Sequence, residues 1–65
     1  MSDYYKFGDV QVLDISRHLT SNAGQALQYI ARSSRLDGNN KGDTAGDLRK
    51  AIDFLRDEIA RLANV

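Results

Sequence analysis

The chain has 65 residues, nine basic against nine acidic, one His and no Cys. That length allows one domain with a marginal core, and the composition excludes disulfides and thiolate metal sites and argues against a His-based one. With those remedies set aside, oligomerisation is the expected route to completing the core, and charge balance argues against a nucleic-acid binder, whose affinity comes mostly from phosphate contacts.

Residues 1–8, MSDYYKFG, are aromatic and end in Gly, and read as an extended arm. Asp9 then caps an expected first helix over 9–19, with Val10, Val12, Leu13, Ile15 and Leu19 as its apolar stripe. The only short alternating piece is Val10-Gln11-Val12; helical spacing explains the rest of the chain better. Asp14 and His18 stand four apart on this helix, which suits a surface pair, and no Ser or Cys nucleophile is placed to make a triad with them.

A second helix is expected over 22–34. Asn22 is its expected cap, and Gln25 stands three residues later as in a capping box. Leu27, Ile30 and Ala31 fall on one side, with Ala23 and Ala26 adding to the apolar set. Gln25, Gln28, Tyr29 and Arg32 fall on the other. Two amides, a phenol and a guanidinium are an unusual solvated face, and three readings stay open for it: a wet surface, a subunit contact or a ligand site. Arg pairs bidentately with phosphate, Tyr stacks on a base, and Gln reads a base edge with both a donor and an acceptor. Gly24, in the first turn, would let a phosphate approach the backbone N–H groups.

Residues 36–43, LDGNNKGD, form a loop. As a calcium loop it fails, because Lys41 and Leu48 occupy positions that require oxygen ligands. As a phosphate loop it also fails, because no Gly-Lys-Ser/Thr follows its glycines. A third helix is expected over 44–63, capped by Thr44 with Asp47 at its third position. Leu48, Ala51, Ile52, Leu55, Ile59 and Leu62 give it the strongest periodic signal in the chain. Charged residues lie opposite, with Arg49–Asp53 and Asp57–Arg61 at i, i+4 spacing. Phe54 sits off the stripe. Phe54, Leu55 and Ile59 are the expected oligomer contacts. The expected architecture is all-α: an arm plus three helices, the last one long, in one domain. No apolar run approaches about 18 residues and no leader is evident, so a cytosolic protein with no membrane partner is expected.

The ordered set Tyr-Tyr, DVQVLDISRHL, N-x-GQALQYIAR and GDTAGDLRKAIDFLRDEI resembles, over nearly the whole chain, a small phage domain family (SaV-like). One branch of it is the Walker-less kinase of podoviral coliphages that acts on deoxynucleoside monophosphates. Tyr5, Asp14, Gly24, Tyr29, Arg32, Lys41, Asp47, Leu48, Lys50, Ala51 and Leu55 match the family pattern, and Phe54 stands for its aromatic. Tyr4 replaces its His, Gln25 its Asn, Gln28 its Lys and Gly46 its Glu. The departures fall on polar positions. Loss of His, Lys and Glu removes charge that phosphoryl transfer requires, so a binder is expected rather than a catalyst, with no catalytic residues, cofactor or metal.

The small core and the polar face of the second helix lead to an expected homo-oligomer with a ligand site at a subunit junction. The resemblance implies that the ligand is nucleotide-derived and the setting the cytoplasm of an infected bacterium. A host immune signal, sequestered, is one such ligand. Its expected site comprises Tyr4, Tyr5, Arg17, Asn22, Gly24, Gln25, Gln28, Tyr29, Arg32 and Lys41, and Arg32→Ala is expected to abolish binding with helix content intact. Two alternatives stand beside it: a nucleoside monophosphate kinase, and a protein-binding inhibitor of a host enzyme using Phe54 and the Tyr4–Tyr5 arm.

Overall fold

The computed structural model describes residues 3–40 and 42–64; Lys41 lies outside them. A 3₁₀ turn, Asp3–Tyr5, leads into β1 (Lys6–Phe7) and β2 (Val10–Gln11). Three helices follow: α1 (Val12–Ser16), α2 (Ser21–Ser33) and α3 (Thr44–Ala63). The three expected helices are present, the C-terminal one long as expected.

The arm is not simply extended, and the fold is not purely helical. β1 and β2 pair antiparallel, Lys6 with Gln11 and Phe7 with Val10. Their two-residue loop starts at Gly8, whose φ of 59° is the left-handed conformation that the first loop position of a II′ hairpin demands. The hairpin takes Val10 and Gln11, and α1 is therefore five residues long instead of eleven. Asp14 accepts the Gln11 N–H at 2.8 Å, so the helix starts there and not at Asp9.

Two other caps also shift. Thr20, not Asn22, caps α2 by accepting the Ala23 N–H. Asp43, not Thr44, caps α3 by accepting the Gly46 N–H at 3.0 Å. Asn22 instead reaches across to α3, donating to Asp57 at 3.0 Å. Asp57 is thus taken by α2, and Arg61 turns to Glu58 at 2.7 Å.

The α2–α3 hairpin forms the body of the molecule, and the contact between its helices departs from expectation. α2 meets α3 through Asn22, Ala26, Tyr29 and Ser33, which recur at helical spacing. α3 answers with Thr44, Asp47, Ala51, Phe54 and Glu58. At the centre Ala26 and Ala51 are each only 2% exposed. The expected apolar stripe of α3 does not face α2. Ala51 is buried, but Leu48, Ile52, Leu55, Ile59 and Leu62 remain 37–67% exposed. Small side chains let the two helices approach, and polar pairs on either side set their register.

Among the described residues the buried apolar core is Val12, Ala26 and Ala51. The molecule measures 39 × 25 × 16 Å with a radius of gyration of 12.5 Å, against about 11 Å for a compact chain of this length. It is a slab little more than one helix thick, with α2 between the α1–hairpin layer and α3.

Two carboxylates tie loops and helix ends together. Glu58 accepts from Arg61, Thr20 and Asn22, and these bonds, that of Arg61 foremost, hold its pKa at about 2 against an ordinary 4.5. Asp37, bonded to Arg35, is likewise held at about 2. Both folded-state values lie below the unfolded ones. The stability they contribute is therefore complete above about pH 4.5 and disappears as pH falls toward 2. Melting followed by circular dichroism is expected to give a lower Tm at pH 3 than at pH 6. Glu58→Gln is expected to lower the pH 6 value and narrow that difference; an unchanged difference would contradict the assignment.

Candidate functional site

The side of α2 that carries Gln25, Gln28, Tyr29 and Arg32 divides in two. Tyr29 and Arg32 turn toward α3. Gln25 and Gln28 turn toward α1.

Arg32 is the hub of the first group. Its Nε and Nη2 donate to the two carboxylate oxygens of Asp47 at 2.9 and 2.8 Å, and Nη1 donates to the Tyr5 hydroxyl at 3.1 Å. The side chains of Arg32 and Asp47 are only 14% and 8% exposed. The carboxylate first, and then the Tyr5 hydroxyl, raise the guanidinium pKa further above its usual value, against a smaller opposing effect of burial. Arg32 also lies 4.7 Å over the ring of Tyr29, and the Lys50 ammonium lies 5.5 Å from the same ring. Beneath it, Tyr29 stacks on Phe54 at 5.7 Å with the planes 20° apart. Phe54, off the apolar stripe as expected, is thus half-buried against an aromatic of its own chain. The donors of Arg32 point at Asp47 and Tyr5, so this cluster fastens the 3₁₀ turn, α2 and α3 together.

The second group lines a groove. α1 crosses α2 at Gly24, where a Cβ would lie 3.1 Å from the Ser16 carbonyl oxygen. A Cβ there would press on that carbonyl, so the close crossing suits glycine, and Gly24 is buried. To one side of the crossing is a hollow of about 220 Å³ lined by Arg17, Thr20, Ser21, Gln25 and Gln28 among others. A second, of about 160 Å³, is lined by Tyr5, Gln11, Val12, Leu13 and Gln28. Leu13 and Gln28 line both, so the two hollows adjoin along the α1–α2 seam as a trough in two parts. Each is smaller than the roughly 300 Å³ at which small-molecule sites begin.

The structure thus brings Tyr5, Arg17, Gly24, Gln25 and Gln28 together at the groove. It brings Tyr29 and Arg32 together beside it, linked to the groove through Tyr5. Asn22 is held by the α3 carboxylates, and Tyr4 is half-buried in the 3₁₀ turn. Arg17 is 57% exposed, with Asp14 at 3.6 Å and the Leu13 carbonyl at 3.2 Å. Asp14 turns to Gln11 and Arg17, and α1 ends before His18.

Arg35 is a residue that sequence reasoning passed over. Its side chain is buried, bonds Asp37 at 2.6 Å and lies 4.0 Å over the Phe7 ring, which pins the interhelical loop to the hairpin. Its Arg-x-Asp spacing was the available signal. Among the described residues no cluster of His, Cys or acidic side chains could hold a metal ion, and no helix is long and apolar enough to cross a membrane.

No protein-family model matches the chain, and no curated protein or solved structure matches it.

Proposed function

We propose that this chain is a small homo-oligomeric protein of phage type that binds a nucleotide-derived ligand in the α1–α2 groove without transforming it. The observation that carries this reading is a pair of adjoining hollows, one lined by Tyr5 and Gln28 and the other by Arg17, Gln25 and Gln28. Arg17 and the first turn of α2 supply positive charge for a phosphate. The Gln25 and Gln28 amides offer a donor and an acceptor each for a base edge, and Tyr5, Val12 and Leu13 provide an apolar wall. The resemblance of the sequence to the small phage family supports the nucleotide part. A cyclic dinucleotide or a cyclic ADP-ribose-like signal has the required chemistry, and sequestering one would blunt a host immune response.

Binding fits the charge distribution better than phosphoryl transfer does. Arg32 is committed to Asp47 and Tyr5. Among the described residues Arg17 is the one cation that lines the trough, enough to pair with a phosphate but little to offset the charge that develops in transfer.

Calorimetric titration with a panel of nucleoside monophosphates, diphosphates and cyclic dinucleotides tests this. Arg17→Ala is expected to weaken binding about 10- to 100-fold, the worth of one charge-assisted hydrogen bond. Its exposure means that the fold should be kept. Wild-type affinity in that variant, or no binding of any panel member to the wild-type protein, would contradict the reading.

A further inference from the structure

The groove opens on one side of the slab, and the opposite side is apolar. On α2, Ala26, Tyr29 and Ser33 face α3. At 100° per residue, Arg32 then lies on the groove side and Ile30 on the other. On α3, Asp47, Ala51 and Glu58 face α2. The same rotation in the antiparallel helix puts Lys50 and Phe54 on the groove side, in agreement with their contacts to Tyr29. Leu48, Ile52, Leu55, Ile59 and Leu62 then fall on the same side as Ile30. All six are exposed. They form a strip on the order of 500 Å², the size of the largest patch on a typical monomer, and such patches are often functional. Beyond α2, on the same side, is a largely apolar hollow lined by Phe7, Val10, Gln11, Ile15 and Leu27 among others.

We infer that this face is covered by the same face of a second copy. α3 would pair antiparallel with α3 about a two-fold axis at Leu55, and the two α2–α3 hairpins would close into a four-helix core. This inference rests on the homo-oligomeric part of the function proposed above and assigns the surface and geometry that would form the oligomer.

Four observations select a second copy as the occupant. The spacing 48, 52, 55, 59, 62 alternates four and three, the seam pattern of helices that pack at a shallow angle. It is close to symmetric about Leu55, so a two-fold sets Leu48 against Leu62 and Ile52 against Ile59 on both sides, as an isologous contact requires. Net charge is zero, so two copies meet without overall repulsion. Finally, the accessible surface is 4646 Å² for a 7.2 kDa chain, against about 4,100 Å² for a compact monomer, while the buried apolar core is Val12, Ala26 and Ala51. A chain so little buried needs its cover wherever it is folded, and its own copies are always at hand. With its rim, the strip approaches the roughly 800 Å² per partner of a stable dimer.

Sedimentation and disulfide trapping test this together, since the chain has no Cys of its own. The wild-type protein at micromolar concentration is expected to sediment as a dimer or a multiple of one. Ile59→Lys is expected to raise the dissociation constant at least about 100-fold, because it buries a charge in the seam. Under a mild oxidant Leu55→Cys should link to itself. Leu48→Cys alone should not, but should link when mixed with Leu62→Cys. A monomeric wild-type protein would overturn both the homo-oligomeric reading and this interface. An oligomer in which Leu55→Cys fails to link, or in which Leu48→Cys links to itself as a parallel pairing would require, would overturn the interface alone. The trapping experiments decide the matter even if Ile59→Lys does not fold, and ligand titration into the trapped Leu55→Cys dimer reads the groove separately.

Discussion

Asp47→Ala is expected to cost about 3 kcal/mol of stability, and Arg32→Ala a similar amount. Each leaves one member of a largely buried ion pair without the other, and breaking such a pair by deleting one partner is far more costly than removing both. A 65-residue chain has on the order of 3–10 kcal/mol in total, so either variant should be substantially unfolded or shifted far down in urea midpoint. Arg32→Leu combined with Asp47→Leu should recover most of the loss, because no uncompensated charge is then buried. Urea titration followed by far-ultraviolet circular dichroism measures all three. Losses below about 1 kcal/mol in the single variants would show that the pair is not structural. The expectation that Arg32→Ala spares helix content is therefore replaced: any loss of ligand binding in that variant should come with loss of helix. Arg17→Ala, with its exposed side chain, is the variant that separates binding from folding.

Ala51→Leu is expected to be nearly as damaging, at about 2–3 kcal/mol. Ala26 and Ala51 are each 2% exposed at the centre of the α2–α3 contact. Three added carbons there must push the helices apart or force strained rotamers. One turn away on either side are Asp47 with Arg32 and Phe54 with Tyr29, and both contacts depend on that separation. Ile52→Ala, one residue further on, removes a larger side chain from a half-exposed position. Its effect should be small at low protein concentration and should grow as the protein associates, since Ile52 belongs to the apolar strip. An Ala51→Leu variant with an unchanged thermal midpoint would mean that the helices do not pack closely at this point.

The two residues show where sequence periodicity informs and where it does not. The 3.6-residue pattern of Leu48, Ile52, Leu55, Ile59 and Leu62 was enough to establish α3, because a helix is the only regular structure that gathers those positions. It could not say what they pack against. Periodicity reports which side chains share a face of the helix and not what covers that face, whereas the intrachain partner was chosen by alanines and by polar pairs that carry no hydrophobic signal. For the same reason Tyr29 and Arg32, polar by composition, turned out to face α3.

The hairpin was hidden for a different reason. Its strands are two residues each, too short for alternation to register, and its visible traces were Val10-Gln11-Val12 and the Gly8-Asp9 loop. Caps slipped by one or two residues where adjacent Ser, Thr, Asn and Asp side chains compete for the same N–H groups, as at Thr20–Asn22 and Asp43–Thr44. Of the proposed ligand set, Gln25 and Gln28 could be grouped from helical phase alone. Their joining with Tyr5 and Arg17 depends on how α1 crosses at Gly24, which only the fold reveals.

The polar groove and the apolar strip lie on opposite sides of the slab, and the account assigns ligand binding to one and assembly to the other. A native mass spectrum of the protein, alone and with a mixed panel of linear and cyclic nucleotides, examines both at once. The account predicts a defined even-numbered oligomer that takes up one member of the panel in fixed stoichiometry to the chain. A monomer with no adduct would contradict it.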